Sequence, residues 1–337
     1  MTDFLNAFIV LANFVLVPGI AYGSQLALGA LGVTLIFAIL RFTNIAHGDT
    51  MAFGAMITIF VTWALQAAGV SIDPLPTALL ALPVGIAATA VLVLATDRFV
   101  YQFYRKQKVE PVMLLIVSVG VMFVMNGLVR FIIGPDDQRF DDGERFIISA
   151  RTFKEMTGLA EGLAIKTTQG ITVVTAILTV AALFWFLNRT RMGKSMRAYS
   201  DNEDLALLSG INPERVVMVT WVIVAALATI AGVLYGLDKS FKPATYFNLL
   251  LPVFASAIVG GLGNPLGAIA GGFVIAFSEV TLTYAFKRVI GYMVPEGLEP
   301  SGLVQLLATD YKFAVSFAIL VVVLLFRPTG LFAGKNT

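Results

Sequence analysis

Few residues in this chain are equipped for chemistry. It holds one histidine, His47, and no cysteine, which removes thiolate nucleophiles, disulfides and cysteine-based zinc or iron–sulfur sites. His47 stands in Arg41-Phe42-Thr43-Asn44-Ile45-Ala46-His47-Gly48-Asp49 with no ligand set beside it, so the stretch reads neither as a metal centre nor as an acid–base pair. Asn44 and Asp49 are helix-capping types that suit the start of the next helix. Glu279 is the one acidic residue deep in an apolar run, where an ionisable group costs at least about 2.5 kcal/mol unless paired, neutralised or hydrated. It is either a functional group facing water or solute, or a structural carboxyl near Ser278, Thr281 or Thr283. Asn126 and Arg130, four apart, share a helix face and raise the same question, with Arg130 close enough to the end of its run to snorkel.

The motifs of nucleotide and hydrolytic chemistry are missing from the sequence. No Gly-x4-Gly-Lys-Ser/Thr loop occurs, and the nearest match, Gly330 to Lys335, has the wrong spacing. Leu208-Ser209-Gly210 shares three letters with an ATPase signature, a coincidence without a phosphate loop. Neither His-Glu-x-x-His nor Gly-x-Ser-x-Gly is present, so an intramembrane hydrolase has no support.

What must position these residues is set by composition. Of 337 residues, 58% are hydrophobic and only 13% charged, with a mean hydropathy of +0.86; a chain this apolar has lipid as its main solvent, which excludes a soluble enzyme. A net charge of +2, dispersed along the chain, excludes a nucleic-acid footprint. A bilayer core about 30 Å thick needs roughly 20 apolar residues in a helix. Such runs lie at Phe4–Val17, Gly23–Leu40, Met51–Ala68, Leu75–Thr96, Pro111–Ile133, Ile171–Leu187, Val216–Leu237, Leu249–Leu262, Leu266–Phe286 and Phe313–Phe326. They predict an all-α, polytopic membrane bundle of about ten spans, helical because lipid leaves no partner for an open backbone. The first and eighth runs are short and touch Pro18-Gly19 and Gly260-Gly261-Leu262-Gly263, which suggests tilted, broken or re-entrant segments. The start Met1-Thr2-Asp3 lacks the basic region of a signal peptide, so the first helix is expected to be uncleaved.

Basic residues orient the bundle. Arg98, Arg105, Lys106 and Lys108 crowd one short connection, and Arg189, Arg191, Lys194, Arg197 and Arg215 another, which predicts a cytoplasmic location for both. Alternating spans then put the long loop 134–169 and its companion 288–310 outside, with both termini in the cytoplasm. The outer loop carries charges of both signs and is expected to hold an amphipathic helix over Thr152–Leu163. No soluble domain interrupts the chain, so 1–337 reads as a single transmembrane domain.

Gly263, Gly267 and Gly271 recur every four residues, with Gly272 beside them, and Gly232 and Gly236 repeat the device. Small residues at this spacing let helix backbones approach closely in lipid, or else line a solute path. Within the cytoplasmic loop 189–215, Asn202 through Leu208 reads as a short amphipathic helix, with acids in its first turn, a stop at Ser209-Gly210 and a proline at 213. Leu205, Ala206 and Leu208 would offer an apolar face to another protein's groove, or else to the lipid surface.

Three stretches together resemble a known family: Ile45-Ala46-His47-Gly48-Asp49 leading into Gly54-Ala55, then Arg197-Ala198 through Asp204, Ala206 and Gly210-Ile211-Asn212, then Gly260-Gly261-Leu262-Gly263-Asn264-Pro265-Leu266-Gly267-Ala268. In this order and spacing, from Leu28 to Leu331, the chain is similar to the branched-chain amino acid ABC-importer permeases, specifically the H-type subunit, with Asn44, Ala46, His47 and Gly48 as motif positions. The resemblance implies a type II importer architecture, shared with vitamin B12 and ribose importers, in a bacterial inner membrane. It implies a second, M-type permease, two cytoplasmic ATPases that use ATP and Mg, and a periplasmic binding protein that delivers the amino acid; this chain itself would bind no cofactor. Asp204, Ala206 and Gly210 match the family's coupling-helix pattern (acidic, Ala, three residues, Gly), and with Leu205, Leu208 and Ile211 they would dock in the ATPase groove. Leu205 replaces the usual second alanine, and the outer loop is long and charged for this family, which bears on the binding protein and so on the solute. Ser256, Ser278, Glu279 and Asn126 are the candidates for the translocation path. Two other readings stay open: an H-type relative that moves urea, short amides or another small polar solute, and an ion-coupled transporter acting alone with Glu279 as its carrier.

Overall fold

The computed structural model describes residues 2–140, 143, 145–294, 300 and 302–332. Nine of its helices are long and apolar enough to cross a bilayer: α1 (Thr2–Leu40), α2 (His47–Ala67), α3 (Ala78–Lys106), α4 (Pro111–Ile133), α6 (Thr167–Arg189), α9 (Pro213–Lys239), α10 (Pro243–Gly260), α11 (Pro265–Thr283) and the last, which starts in a 3-10 turn at Thr309 and continues as α13 (Lys312–Phe326). Between them lie α5 (Ala150–Thr157), flanked by the short antiparallel pair β1 (Phe146–Ile148) and β2 (Ile165–Lys166), then α7 (Arg191–Asp201), α8 (Glu203–Leu208) and α12 (Lys287–Met293).

Nine agrees with the expected count of about ten, and the difference of one lies in the first two runs. The runs Phe4–Val17 and Gly23–Leu40 are a single helix of 39 residues, about 58 Å long and so nearly twice the thickness of the hydrocarbon. Pro18-Gly19 does not break it. A turn of π-helix at Ala12–Leu16 shifts the hydrogen-bond register just before the proline and absorbs its missing donor. Gly19 and Gly23 are there for packing: a Cβ on either would sit 2.7 and 2.5 Å from the rings of Phe277 and Phe273 on α11.

One end of the bundle holds α7 and α8, where the Arg41 guanidinium at the end of α1 donates to the Ser200 carbonyl. The turn between α10 and α11 lies at the same end, and Leu331 N bonds the Val259 carbonyl there at 2.8 Å. The opposite end is closed by residues 134–140 and 145–166. Gln138 pairs with Phe241 through two 2.8 Å bonds, Glu161 N and Ala164 N donate to Asn6 and Asn13 of α1, and Glu161 also takes Tyr292 and Arg288 of α12. The start of α1 therefore lies at the opposite end from Phe332, contrary to the expectation that both termini share one side. That expectation counted α1 as two crossings. Between α4 and α6 the helix is α5 rather than Thr152–Leu163: Ser149 caps it and Gly158, at φ +68°, ends it in the left-handed region.

The glycines divide by purpose. A Cβ on Gly267 or Gly271 would lie 2.1 Å from the carbonyl oxygen of Gly260 or Ser256 on α10, and one on Gly232 would lie 2.4 Å from that of Met51. Gly236 meets only side chains, Phe140 and Tyr246 at 3.0 Å. Gly263 is no packing residue, for nothing lies within 4 Å of its Cβ position; it serves the turn, with φ at +86°. Gly271→Val is therefore expected to cost about 3 kcal/mol or more by overpacking against backbone, and Gly263→Ala about 1 kcal/mol by backbone strain. Melting of the two variants in mild detergent, followed by size-exclusion chromatography, checks the order.

Candidate functional site

At the α7–α8 end the chain leaves the bundle through a sharp corner. Thr190 caps α7 by accepting from Gly193 N at 3.0 Å, and Gly193 sits where a Cβ would be 2.2 Å from the Phe186 carbonyl oxygen. Met196 and Tyr199 bury one face of α7. Burial, with the Glu203 carboxylate accepting from its hydroxyl at 2.7 Å, holds the Tyr199 phenol above its ordinary value, so it remains a donor there. Asn202 caps α8 through Leu205 N at 3.0 Å, and Asn212 caps α9 through Arg215 N at 3.2 Å. α8 is thus a single short helix capped by Asn202 at its start and followed by the left-handed Gly210, with Glu203 and Asp204 in its first turn.

Its outward face is apolar. Leu208 is 85% exposed, Leu205 61% and Leu207 42%, while Ala206 is turned inward at 3%. Ala206 is hence the anchor of the helix and not part of the outward face, where Leu207 takes its place; its carbonyl accepts from Ile211 N at 3.1 Å. Gly210 ends the unit at φ +79° with open space around it, and Ile211 is half-buried below.

Arg41 links this surface to the bundle interior. After it, residues 41–46 run without helix beside Ser118, Val93 and Val224, well inside the spans. Irregular backbone at such depth persists only where protein replaces water as its partner. Ile45 N donates to Ser118 Oγ at 3.1 Å, Ala46 N to Asn44 Oδ1 at 3.1 Å, and Tyr101 to the same Asn44 oxygen at 3.1 Å; Thr50 returns its hydroxyl to the Ala46 carbonyl. Tyr101 stacks on Trp221, whose indole N–H donates to Asp97 at 2.8 Å, and Arg105 closes the set on the same carboxylate. A π-turn at Asp97–Tyr101 aims both residues inward. His47 is fully buried, its ring laid against Gly32, and Gly48 lets α2 approach the Tyr246 carbonyl, which a Cβ would reach at 2.8 Å.

The proposed path residues do not converge. Ser256 is buried and returns its hydroxyl to Pro252 O at 2.6 Å; Ser278 is half-buried. Asn126 donates to Asp49 at 2.7 Å, which gives it a partner other than the exposed Arg130. Glu279 is fully buried between helices, with Ser316 and Lys312 of α13 on its two oxygens. Sequence reading missed Arg41, Asp97, Tyr101, Ser118, Trp221 and Lys312. A polar or aromatic residue inside an apolar run was the available signal for Ser118 and Trp221, whereas the other four lie just beyond the ends of their runs.

The family model for the branched-chain amino acid transport system permease component matches residues 15–324. The chain is 29% identical to the high-affinity branched-chain amino acid transport system permease protein LivH of Salmonella typhimurium, over 93% of this chain and 92% of that protein. It is 28% identical to the corresponding protein BraD of Pseudomonas aeruginosa, over 94% of each. Among solved structures, PsaBC from Streptococcus pneumoniae, in complex with Fab, aligns over 97% of this chain and 92% of its own, with a TM-score of 0.46 and 12% identity.

The segment at Asn44 supplies a direct test. Asn44→Ala leaves Ala46 N and the Tyr101 hydroxyl without their acceptor inside the membrane, an expected cost of about 2–3 kcal/mol. A lower melting midpoint, with Tyr101→Phe in the same background adding little further loss, is the expected result.

Proposed function

Because the chain belongs to the family of branched-chain amino acid transport permease components, we propose that it is the H-type half of an ATP-driven, binding-protein-dependent importer for branched-chain or other apolar amino acids. The observation that carries this reading is α8: three leucines held out from the end of the bundle on a helix capped at its start by Asn202 and followed by Gly210. Exposed leucines cost a water-soluble surface and gain only by entering another protein's groove. The occupant is the ATPase, two copies of which serve this chain and an M-type partner in the inner membrane. The end with α7 and α8 is then cytoplasmic, and the end closed by residues 134–140 and 145–166 receives the periplasmic binding protein.

The reading gives each part a task. ATP binding, with its Mg, draws the ATPases together, and α8 carries the movement inward. α7 follows through the buried Met196 and Tyr199, and Arg41 passes it to the end of α1 and to residues 41–46. The two permeases then exchange inward- and outward-facing forms, and solute released by the binding protein crosses between them. Tight binding by this chain is unnecessary.

Leu208→Asp changes a side chain 85% exposed and is expected to leave melting nearly unchanged. The same substitution should lower ATP-dependent leucine uptake about tenfold in membrane vesicles, as loss of an interface anchor does. Gly210→Arg should act alike, with normal membrane insertion. Wild-type uptake by both variants would remove the coupling role of α8. Purification in mild detergent tests the assembly: two nucleotide-binding subunits and a second permease are expected in the same peak.

A further inference from the structure

α13 is an apolar helix with little reason to stay where it is. Phe317, Val322, Leu324, Leu325 and Phe326 point outward, and only Val315, Ser316 and Val323 are buried. Lipid is as apolar as these side chains, so no hydrophobic gain holds such a helix against its neighbours. Along its middle Ile319, Leu320 and Val323 pack on the core, and its polar attachments lie at its two ends. Past its last turn, Leu331 N bonds Val259 O, Asn264 donates to Phe332 O at 2.6 Å, and Gly330 packs on Gly261. At its first turn, Lys312 and Ser316, four residues apart and so on one face, both reach Glu279 of α11.

We propose that Glu279 and Lys312 form an interhelical ion-pair lock that fixes the register of α13 across the α10–α11 hairpin, and that Glu279 serves this lock and not a solute or proton path. Each oxygen of the carboxylate has its own partner: Ser316 Oγ donates to Oε1, and Lys312 Nζ lies 3.5 Å from Oε2. The ammonium also rests 3.7 Å above the ring of Tyr22, which brings α1 into the same joint. Glu279 has no exposed surface, whereas a carrier must be reached from water in at least one state. The other ionisable groups around the pair are the Tyr22 and Tyr235 phenols and, at the end of α9, Asp238 and Lys239, themselves 3.4 Å apart. Two acids and two bases cancel, so no net charge is left for a transported ion to neutralise. A buried pair of this kind is costly to break and cheap to replace by apolar residues of similar volume.

That asymmetry sets the experiment, made on the full chain in its native membranes and in mild detergent. Lys312→Met and Glu279→Gln alone are each expected to lower the melting midpoint by about 5–10 °C. The apolar pair Glu279→Leu with Lys312→Met should restore the midpoint to within about 3 °C of the unaltered protein, and should restore uptake with it. Should neither single variant accumulate, accumulation and normal melting of the apolar pair decide for the lock, and its failure decides against it. Unchanged melting in both single variants would overturn the proposal. So would an apolar pair that melts normally yet transports nothing, because Glu279 would then be acting on the solute or an ion. The melting readout does not depend on which solute is carried or on the ATPase, so failure of the importer reading leaves it standing.

Discussion

Everything in this molecule answers to the absence of water around its backbone. Helices satisfy that demand internally, and nine of them do so here among the described residues. The exception is residues 41–46, where the chain passes between spans without a helix and side chains supply acceptors for the Ile45 and Ala46 amides. Asn44 serves the Ala46 amide and the Tyr101 hydroxyl with one oxygen, and Ser118 serves Ile45. The aromatic pair Tyr101–Trp221 and the Asp97–Arg105 contact behind it fix those donors in turn. Three helices are therefore committed to holding one short irregular strip of chain, the strip that leads into α2.

The same solvent makes close approach the principal means of helix association. α10 and α11 meet backbone to backbone at Gly260, Gly267 and Gly271, with no side chain between them, and α1 meets α11 through glycines that admit two phenylalanine rings. Where backbones approach this closely, one added methyl group has nowhere to go. α13, which lacks such a contact along its middle, relies on charge and hydrogen bonds at its ends instead.

Much of this was legible in the residues because the determinants are local. Runs of apolar residues gave the spans, Asn202 and Gly210 gave the borders of α8, and the repeat at Gly267 and Gly271 gave a packing face. What escaped depends on partners far along the chain. Pro18-Gly19 has the composition of a break, and only the π-turn before it and the rings of Phe277 and Phe273 show why the helix continues. Glu279 looked for partners at Ser278, Thr281 and Thr283, whereas Lys312 lies 33 positions on, outside the apolar run that was assigned to its helix. Ala206 counted as an apolar surface residue because a six-residue helix has too few turns to declare which side faces in. Asn44 read as a helix cap, which it resembles, since its oxygen does meet an amide two residues on.

The unbroken length of α1 has a mechanical consequence. Its first turns are bound to Glu161 and Ala164 at one extremity of the protein, and Arg41 just beyond its last turn is bound to Ser200 at the other. Between them Gly19 and Gly23 seat the helix against α11. A stiff rod held near an intermediate bearing is a lever: a tilt that carries one tip sideways carries the other the opposite way. The two ends of the bundle thereby share one continuous helix.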